Sequence, residues 1–425
     1  MTVRGHIFLL LAVIILNTCF VSSAHAFYQW QDDDQSFTLQ GSTRLSGGIQ
    51  HYPEHNFLYT DQTDESWALV QRLLLAADLS SRLRLNLNLM ETVRSVAPIS
   101  PQLAALSSGV ARSGLLSWEQ HDSASSSADL TVDAFNLQYL APRFDFTLGR
   151  QAINLATTFY FTPNDFFSPF AAQDFYRVYK PGVDGARTDI RLGELSLLTL
   201  IGVLAYTPDL DTGNGWAVEP DWSETSWMAR ISRGYGSFDL ALLGGQVSDC
   251  TIAGASLQAD LFAWLGVRAE GHYGDPAQDN LASYYQFTVG IEHHFENSFD
   301  LRVEYFYNGR GYSDIEQTNQ AFMSGVATAS GYLGREYAAL GLGYELTPLL
   351  NVSALAMLNL SDHSQLYSLY ALYSISDESE LSATVSLPVG AKPSHPVEAE
   401  PGLFQINSEF GMSPQSFNLE YRVYF

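Results

Sequence analysis

Six arginines in the first 230 residues of this 425-residue chain, Arg44, Arg72, Arg84, Arg187, Arg191 and Arg230, each take the polar position in a stretch of alternating apolar and polar residues. A guanidinium stays charged at any working pH and offers a planar fork of donors, so a file of them suits the binding and passage of small anions. Carboxylates take over the same parity farther along, with Glu270, Glu292 and Glu304 the clearest, mixed with Arg268, Arg302 and Arg422. If these positions face one water-filled space, one wall is basic and the other mixed-acidic. The field between two such walls orients polar solutes and tunes ion preference. The competing reading is that the charges pair across neighbouring strands and stiffen the wall.

Hydrolytic chemistry finds less support. No G-x-S-x-G elbow occurs. His293 and His294 are adjacent, so on a strand their rings leave opposite faces. His272 shares a parity with His294, yet antiparallel pairing sets the two far apart along the wall. No spacing of His, Cys, Asp and Glu matches a metal site, so no catalytic, metal or cofactor residue is assigned. A formal net charge of −25, from 21 basic and 46 acidic residues, argues against a nucleic-acid partner.

The third chemically loaded segment is aromatic. Residues 152–183 carry Phe159, Phe161, Phe166, Phe167 and Tyr176 among other rings. Rings at this density pack against protein, or stack on a sugar-like ligand; packing is the expectation.

The elements that position these residues follow from the period-2 pattern. Leu83, Leu85, Leu87 and Leu89 alternate with Arg84, Asn86 and Asn88, and Tyr285, Phe287, Val289 and Ile291 alternate with Gln286, Thr288, Gly290 and Glu292. Strands with one apolar and one polar face read this way and helices do not. Eighteen such strands are predicted, starting near residues 37, 67, 82, 130, 144, 184, 195, 225, 237, 251, 265, 284, 299, 335, 349, 364, 379 and 416, with sixteen as the alternative. Tight turns such as Pro142-Arg143 and Thr347-Pro348 alternate with loops near 50–66, 94–129, 152–183, 207–224, 310–334 and 388–415. Within the second loop, 101–117 reads as a short helix. Short turns on one side and long loops on the other predict an all-β, transmembrane, antiparallel up-and-down barrel, with periplasmic turns and extracellular loops. A soluble secreted β-protein would alternate too, but no blade-length repeat is present, and Tyr and Phe recur near strand ends as an interfacial girdle requires. Charged residues at 16% and aromatics at 13% suit the barrel.

Residues 1–26 read as a secretory signal peptide, with Arg4, an apolar run from Ile7 to Leu16, and Ala24-His25-Ala26 before the cleavage point. A lipoprotein signal at Cys19 is the lesser alternative, because the small residue expected before the Cys is missing. Residues 27–425 then form one barrel domain in the cell outer membrane of Gram-negative type, with one cysteine, Cys250. The aromatic C-terminal Phe425, on the apolar parity of its strand, resembles the signal read by barrel-insertion machinery. That machinery, outer-membrane lipid and a small polar or anionic solute are the expected partners.

Leu148-Gly149-Arg150-Gln151, Pro163-Asn164-Asp165 and Val183-Asp184-Gly185-Ala186-Arg187 resemble the GRQ and DGAR framework of the porin-like alginate-export family. The resemblance covers about a tenth of the chain, and it implies an eighteen-stranded outer-membrane barrel whose arginine-rich lumen passes an acidic polysaccharide. Arg187 falls on such a wall, whereas Arg150 departs from the luminal parity of its strand, and the mixed-acidic second wall departs from the family. The expected function is passive diffusion of small polar or anionic solutes, sugar acids or oligosaccharides among them. The alternative is a structural or surface-interaction barrel plugged by the aromatic loop.

Overall fold

A barrel wall needs strands whose backbone groups are all paired laterally, because lipid offers them no hydrogen bonds. The computed structural model describes residues 28–54, 62–95, 110–123, 125–209, 211–262, 264–278, 281–317, 319, 331–394 and 405–425. The signal segment 1–26 and residues 101–109 of the expected short helix lie outside these. The strands are β1 (Tyr28–Gln31), β2 (Ser36–His51), β3 (Thr63–Ser80), β4 (Leu83–Ser95), β5 (Ser117–Asp122), β6 (Ser126–Leu140), β7 (Phe144–Gln151), β8 (Val183–Gly193), β9 (Ser196–Ala205) and β10 (Asp221–Tyr235). They continue as β11 (Phe238–Val247), β12 (Cys250–Leu261), β13 (Leu265–Pro276), β14 (Tyr284–His294), β15 (Phe299–Asn308), β16 (Glu336–Thr347), β17 (Leu350–Asn359), β18 (Gln365–Ser376), β19 (Ser379–Val389) and β20 (Gln415–Tyr424). No helix among the described residues is long and apolar enough to cross a membrane.

Eighteen of these strands form a closed antiparallel barrel. β2 pairs with β3, β3 with β4, β4 with β6, each later strand with the next, and β20 returns to β2. Every expected strand start lies within four residues of an observed one. The other two strands, β1 and β5, repair edges that unequal strand lengths leave open. The upper part of β6 runs past the end of β7, and β5 covers that edge from Ser117↔Thr131 to Asp122↔Ser127. β1 covers the lower part of β2 beneath the end of β20, from Tyr28↔Leu39 to Gln31↔Ser36. An uncovered edge would invite pairing with another chain. Of the predicted helix at 101–117, residues 110–117 are described; they hold only a single 3-10 turn, Gly114–Leu116, before the chain extends into β5 at Ser117.

The alternation is realised as two faces. On β14, Tyr285, Phe287, Val289 and Ile291 are exposed on the outside, while Gln286 and Thr288 are buried inside. The expectation that the inner parity is polar throughout does not hold near the loop end of the wall. There Val183, Ile201, Val203, Met228, Leu243 and Ile252 point inward and are buried together with Ile153, Leu155 and Phe167 of the following loop. Both faces are apolar in this zone because one meets lipid and the other meets protein.

The seam depends on one small residue. Gly41 and Phe425 exchange two backbone hydrogen bonds, of 2.6 and 2.9 Å, and a Cβ on Gly41 would lie 2.1 Å from the Phe425 ring. Gly41→Val should therefore cost about 2 kcal/mol through overpacking. The check is the temperature at which the detergent-solubilised folded band converts to the unfolded one on a gel. It should fall in the variant and recover in part when Phe425→Ala removes the ring, and an unchanged temperature would refute the seam packing.

Candidate functional site: a loop folded into the barrel

After β7 the chain turns into the lumen, and residues 152–182 cross it without forming strand or helix. Such a segment brings unpaired N–H groups into a confined space, where each must find an acceptor. Two inward carboxylates supply them. Glu304 on β15 accepts from the N–H groups of Phe159 at 2.6 Å, Tyr160 at 2.9 Å and Phe161 at 3.1 Å. Glu270 on β13 accepts from Thr157, from Thr158 at 3.2 Å and from Asn164 at 3.0 Å. Glu270 and Glu304 are 3% and 1% exposed. The sequence placed them facing solute. They do face inward, but the loop covers them, and their work is to hold it.

The two legs of the loop are tied to each other. Lys180 and Asp165 form a buried ion pair. Burial outweighs the pairing, raising the Asp165 carboxyl above its ordinary range and lowering the Lys180 ammonium below its own. Arg177 donates to the carbonyls of Phe159, Ala171, Ala172 and Asp174. Asn164 donates to Ala255 O at 3.0 Å, and its Oδ1 lies 3.2 Å from His272 Nδ1.

The aromatic residues divide between packing and lining. Phe161 is buried and stacks on Phe306 with centroids 5.1 Å apart, and Phe175 stacks on Tyr370 at 4.9 Å. Phe167 is buried in the wall cluster, and Phe166 meets His272 edge-on at 5.0 Å. Phe159 and Tyr176 instead meet guanidiniums. Arg268 and Arg302 lie 4.2 and 4.4 Å from the Phe159 ring, Arg422 and Arg44 lie 4.0 and 5.7 Å from Tyr176, and Arg72 lies 4.5 Å from Tyr179. Packing of the loop, rather than a waiting sugar platform, accounts for most of its rings.

Most of the arginine file is already matched to carboxylates. Arg44 pairs with Glu420 at 3.4 Å, Arg72 with Asp133 at 2.6 Å, Arg84 with Asp78 at 2.6 Å, Arg187 with Asp189 at 2.8 Å, and Arg191 with Asp145. Glu292 takes Arg268 at 2.9 Å and Arg302 at 3.8 Å. Asp133, which also holds Arg112 at 2.8 Å, was missed because β6 shifts register between the partners of Asn88 and Leu89. A bulge of this kind moves a residue off its parity, and no pattern of alternation reports it. Arg230 differs from the other five. It points inward beside Met228, makes no ion pair among the described residues, and its buried Nε has no acceptor.

The GRQ and DGAR segments meet in register, Gly149 opposite Gly185 and Arg150 opposite Asp184. Arg150, 1% exposed, pairs with Asp184 at 2.7 Å and donates to Val132 O at 2.9 Å and Ser113 O at 3.0 Å. Gly149 has φ +115°, and a Cβ there would sit 2.3 Å from Phe135 O. The motif is a clasp that binds β6, β7, β8 and segment 112–113 where the loop departs.

Solved structures share this architecture. Over 92% of this chain and 98% of the other, it matches OccK9 (OpdG) of Pseudomonas aeruginosa at 12% identity and TM-score 0.58. The same coverages apply to Pseudomonas aeruginosa OccK2 (OpdF), solved in complex with glucuronate, at 9% identity and TM-score 0.56. Acinetobacter baumannii OccAB4 matches over 93% and 98% at 8% identity and TM-score 0.55. These likenesses establish the fold. No family model and no curated protein sequence matches the chain.

Removing an acceptor from this anchor has a defined consequence. Glu304→Ala leaves three buried N–H groups unpaired, at a cost of about 2 kcal/mol or more to the anchored loop. Hydrogen exchange at residues 159–161 should accelerate by roughly thirtyfold or more while the barrel amides keep their protection. Unchanged protection at 159–161 would refute the anchoring role.

Proposed function

We propose that the protein is an outer-membrane channel for passive diffusion of small polar or anionic solutes, with residues 1–26 removed on export and 27–425 forming the barrel. The observation that carries the reading is a closed eighteen-stranded wall whose interior is narrowed, at the level of the loop, by guanidiniums held against aromatic rings. Eighteen strands enclose more space than their own side chains fill, so the loop sets the aperture. A loop that crosses the lumen favours small solutes over a polymer such as alginate. The clasp at Arg150 and Asp184 gives the GRQ and DGAR segments a structural role that involves no polysaccharide path. The glucuronate bound to OccK2 makes a sugar acid the first solute to test. The terminal Phe425 is the proposed mark for the insertion machinery.

Within the arginine file, Arg230 is the residue proposed to meet the solute, because a guanidinium without a carboxylate partner keeps its full attraction for an incoming anion. The paired arginines set the shape and background charge of the wall. The reading as a plugged structural barrel is favoured by one observation, the depth to which Phe161 and Phe167 are packed. Planar-bilayer recording separates the two: steady conductance supports the channel and silence from folded protein supports the plug. Arg230→Ser should shift the reversal potential in a salt gradient toward lower anion preference, by more than Arg84→Ser or Arg191→Ser does. Equal shifts from all three would remove the special role of Arg230.

A further inference from the structure

The loops over the later half of the barrel are fastened by a half-buried carboxylate that meets no cation among the described residues. Glu409, between β19 and β20, accepts from Asn359 Nδ2 at 2.8 Å, from the N–H groups of Leu333 and Gly334 at 3.2 and 3.3 Å, and from the Tyr337 hydroxyl. Its own N–H donates to Asp362 Oδ2 at 2.6 Å, which brings a second carboxylate into the cluster. Asp314 lines the same crevice, and His363 on the neighbouring turn is exposed. The nearby basic side chains are committed elsewhere: Arg335 donates to Gly311 O at 3.2 Å, and Arg177 holds the constriction-loop carbonyls. Beside Glu409, Asn319 exchanges hydrogen bonds of 2.6 and 2.7 Å with the backbone of Ile406, so residues 310–317 and 319, 331–335 and 405–412 close as one cover.

That cover reaches the constriction. Phe410, the residue after Glu409, is buried with Phe161, Phe306, Tyr337 and Leu366, and Tyr332 meets Phe161 edge-on at 5.3 Å. We propose that Glu409 is a proton-operated latch on the extracellular loops, tightening the cover and the constriction loop beneath it in acid and loosening them as pH rises. This rests on the channel reading. Burial and the neighbouring Asp362 push the Glu409 carboxyl up to about 7 against the donors around it, whereas a released, solvated carboxyl titrates near its ordinary 4.5. A group raised in the latched state stabilises that state fully below the released value and ceases to do so as pH passes the latched one. Between pH 4.5 and 7 the latch equilibrium should therefore change on the order of a hundredfold.

The test uses the full mature protein in planar bilayers and, in parallel, hydrogen exchange at residues 331–335 and 405–412. In the wild type, large-conductance openings and exchange corrected for the intrinsic pH effect should both increase from pH 5 to pH 8. Glu409→Gln should hold both at their acid values across the range. Asp362→Asn, which removes the like charge, should move the midpoint to lower pH without abolishing it. Heat-modifiability on gels verifies folding of each variant. A pH response that persists unchanged in Glu409→Gln overturns the latch, as does a wild type whose exchange is flat in pH. Absence of any conductance while exchange still responds to pH would overturn the channel reading and leave the latch standing.

Discussion

A chain segment that crosses a lumen without secondary structure must satisfy its own N–H groups, and that requirement organises this molecule. Residues 157–164 solve it by pointing N–H groups at two carboxylates, Glu270 and Glu304, that rise from alternate strands of the wall. A carboxylate can accept several donors at once and is strengthened as an acceptor by its charge. The same contacts bury the charge, so the loop and the carboxylates depend on each other. Everything else in the lumen is arranged around the place where that loop is held.

One consequence is the apolar inner wall of β8 to β12. A wet lumen would call for polar side chains there, but the incoming loop brings Ile153, Leu155 and Phe167, and the wall answers with Val203, Met228 and Leu243. A second consequence is the division of labour among the rings. Phe161 and Phe167 serve as packing, whereas Phe159 and Tyr176 carry guanidiniums from two separate stretches of the wall. Stacking on a ring positions a guanidinium without neutralising it. Ion pairing with Asp78, Asp133, Asp145, Asp189 and Glu420 matches five of the six arginines of the file, and among the described residues Arg230 is the one of the six without an ion pair.

The barrel itself was legible to a few residues. Alternation marks the strands because a lipid-facing wall has one greasy face, and the turns mark their ends because periplasmic connections are short. β1 and β5 were not legible, being short strands that answer to unequal neighbours rather than to a pattern of their own. In the site, the inward parity of Arg44, Arg187, Arg230, Glu292 and Glu304 was readable. The partners were not. Asp133 is displaced by a bulge, and Glu420 meets Arg44 only because the last strand returns to the first.

By itself, then, the order of side chains marked the alternating strands of the wall, the division between short turns and long loops, and the inward parity of most charged residues, because each of these is a local, period-2 property of the backbone. What the inward residues do was decided by tertiary structure. Glu292 remains with arginines while Glu304, on the neighbouring strand and at a similar parity, disappears beneath the loop. The difference is height on the wall relative to a segment some 140 residues distant, as the span from Phe161 to Glu304, 143 residues, illustrates. Contacts at that separation are set by how the chain closes on itself, and no periodicity along the chain records them.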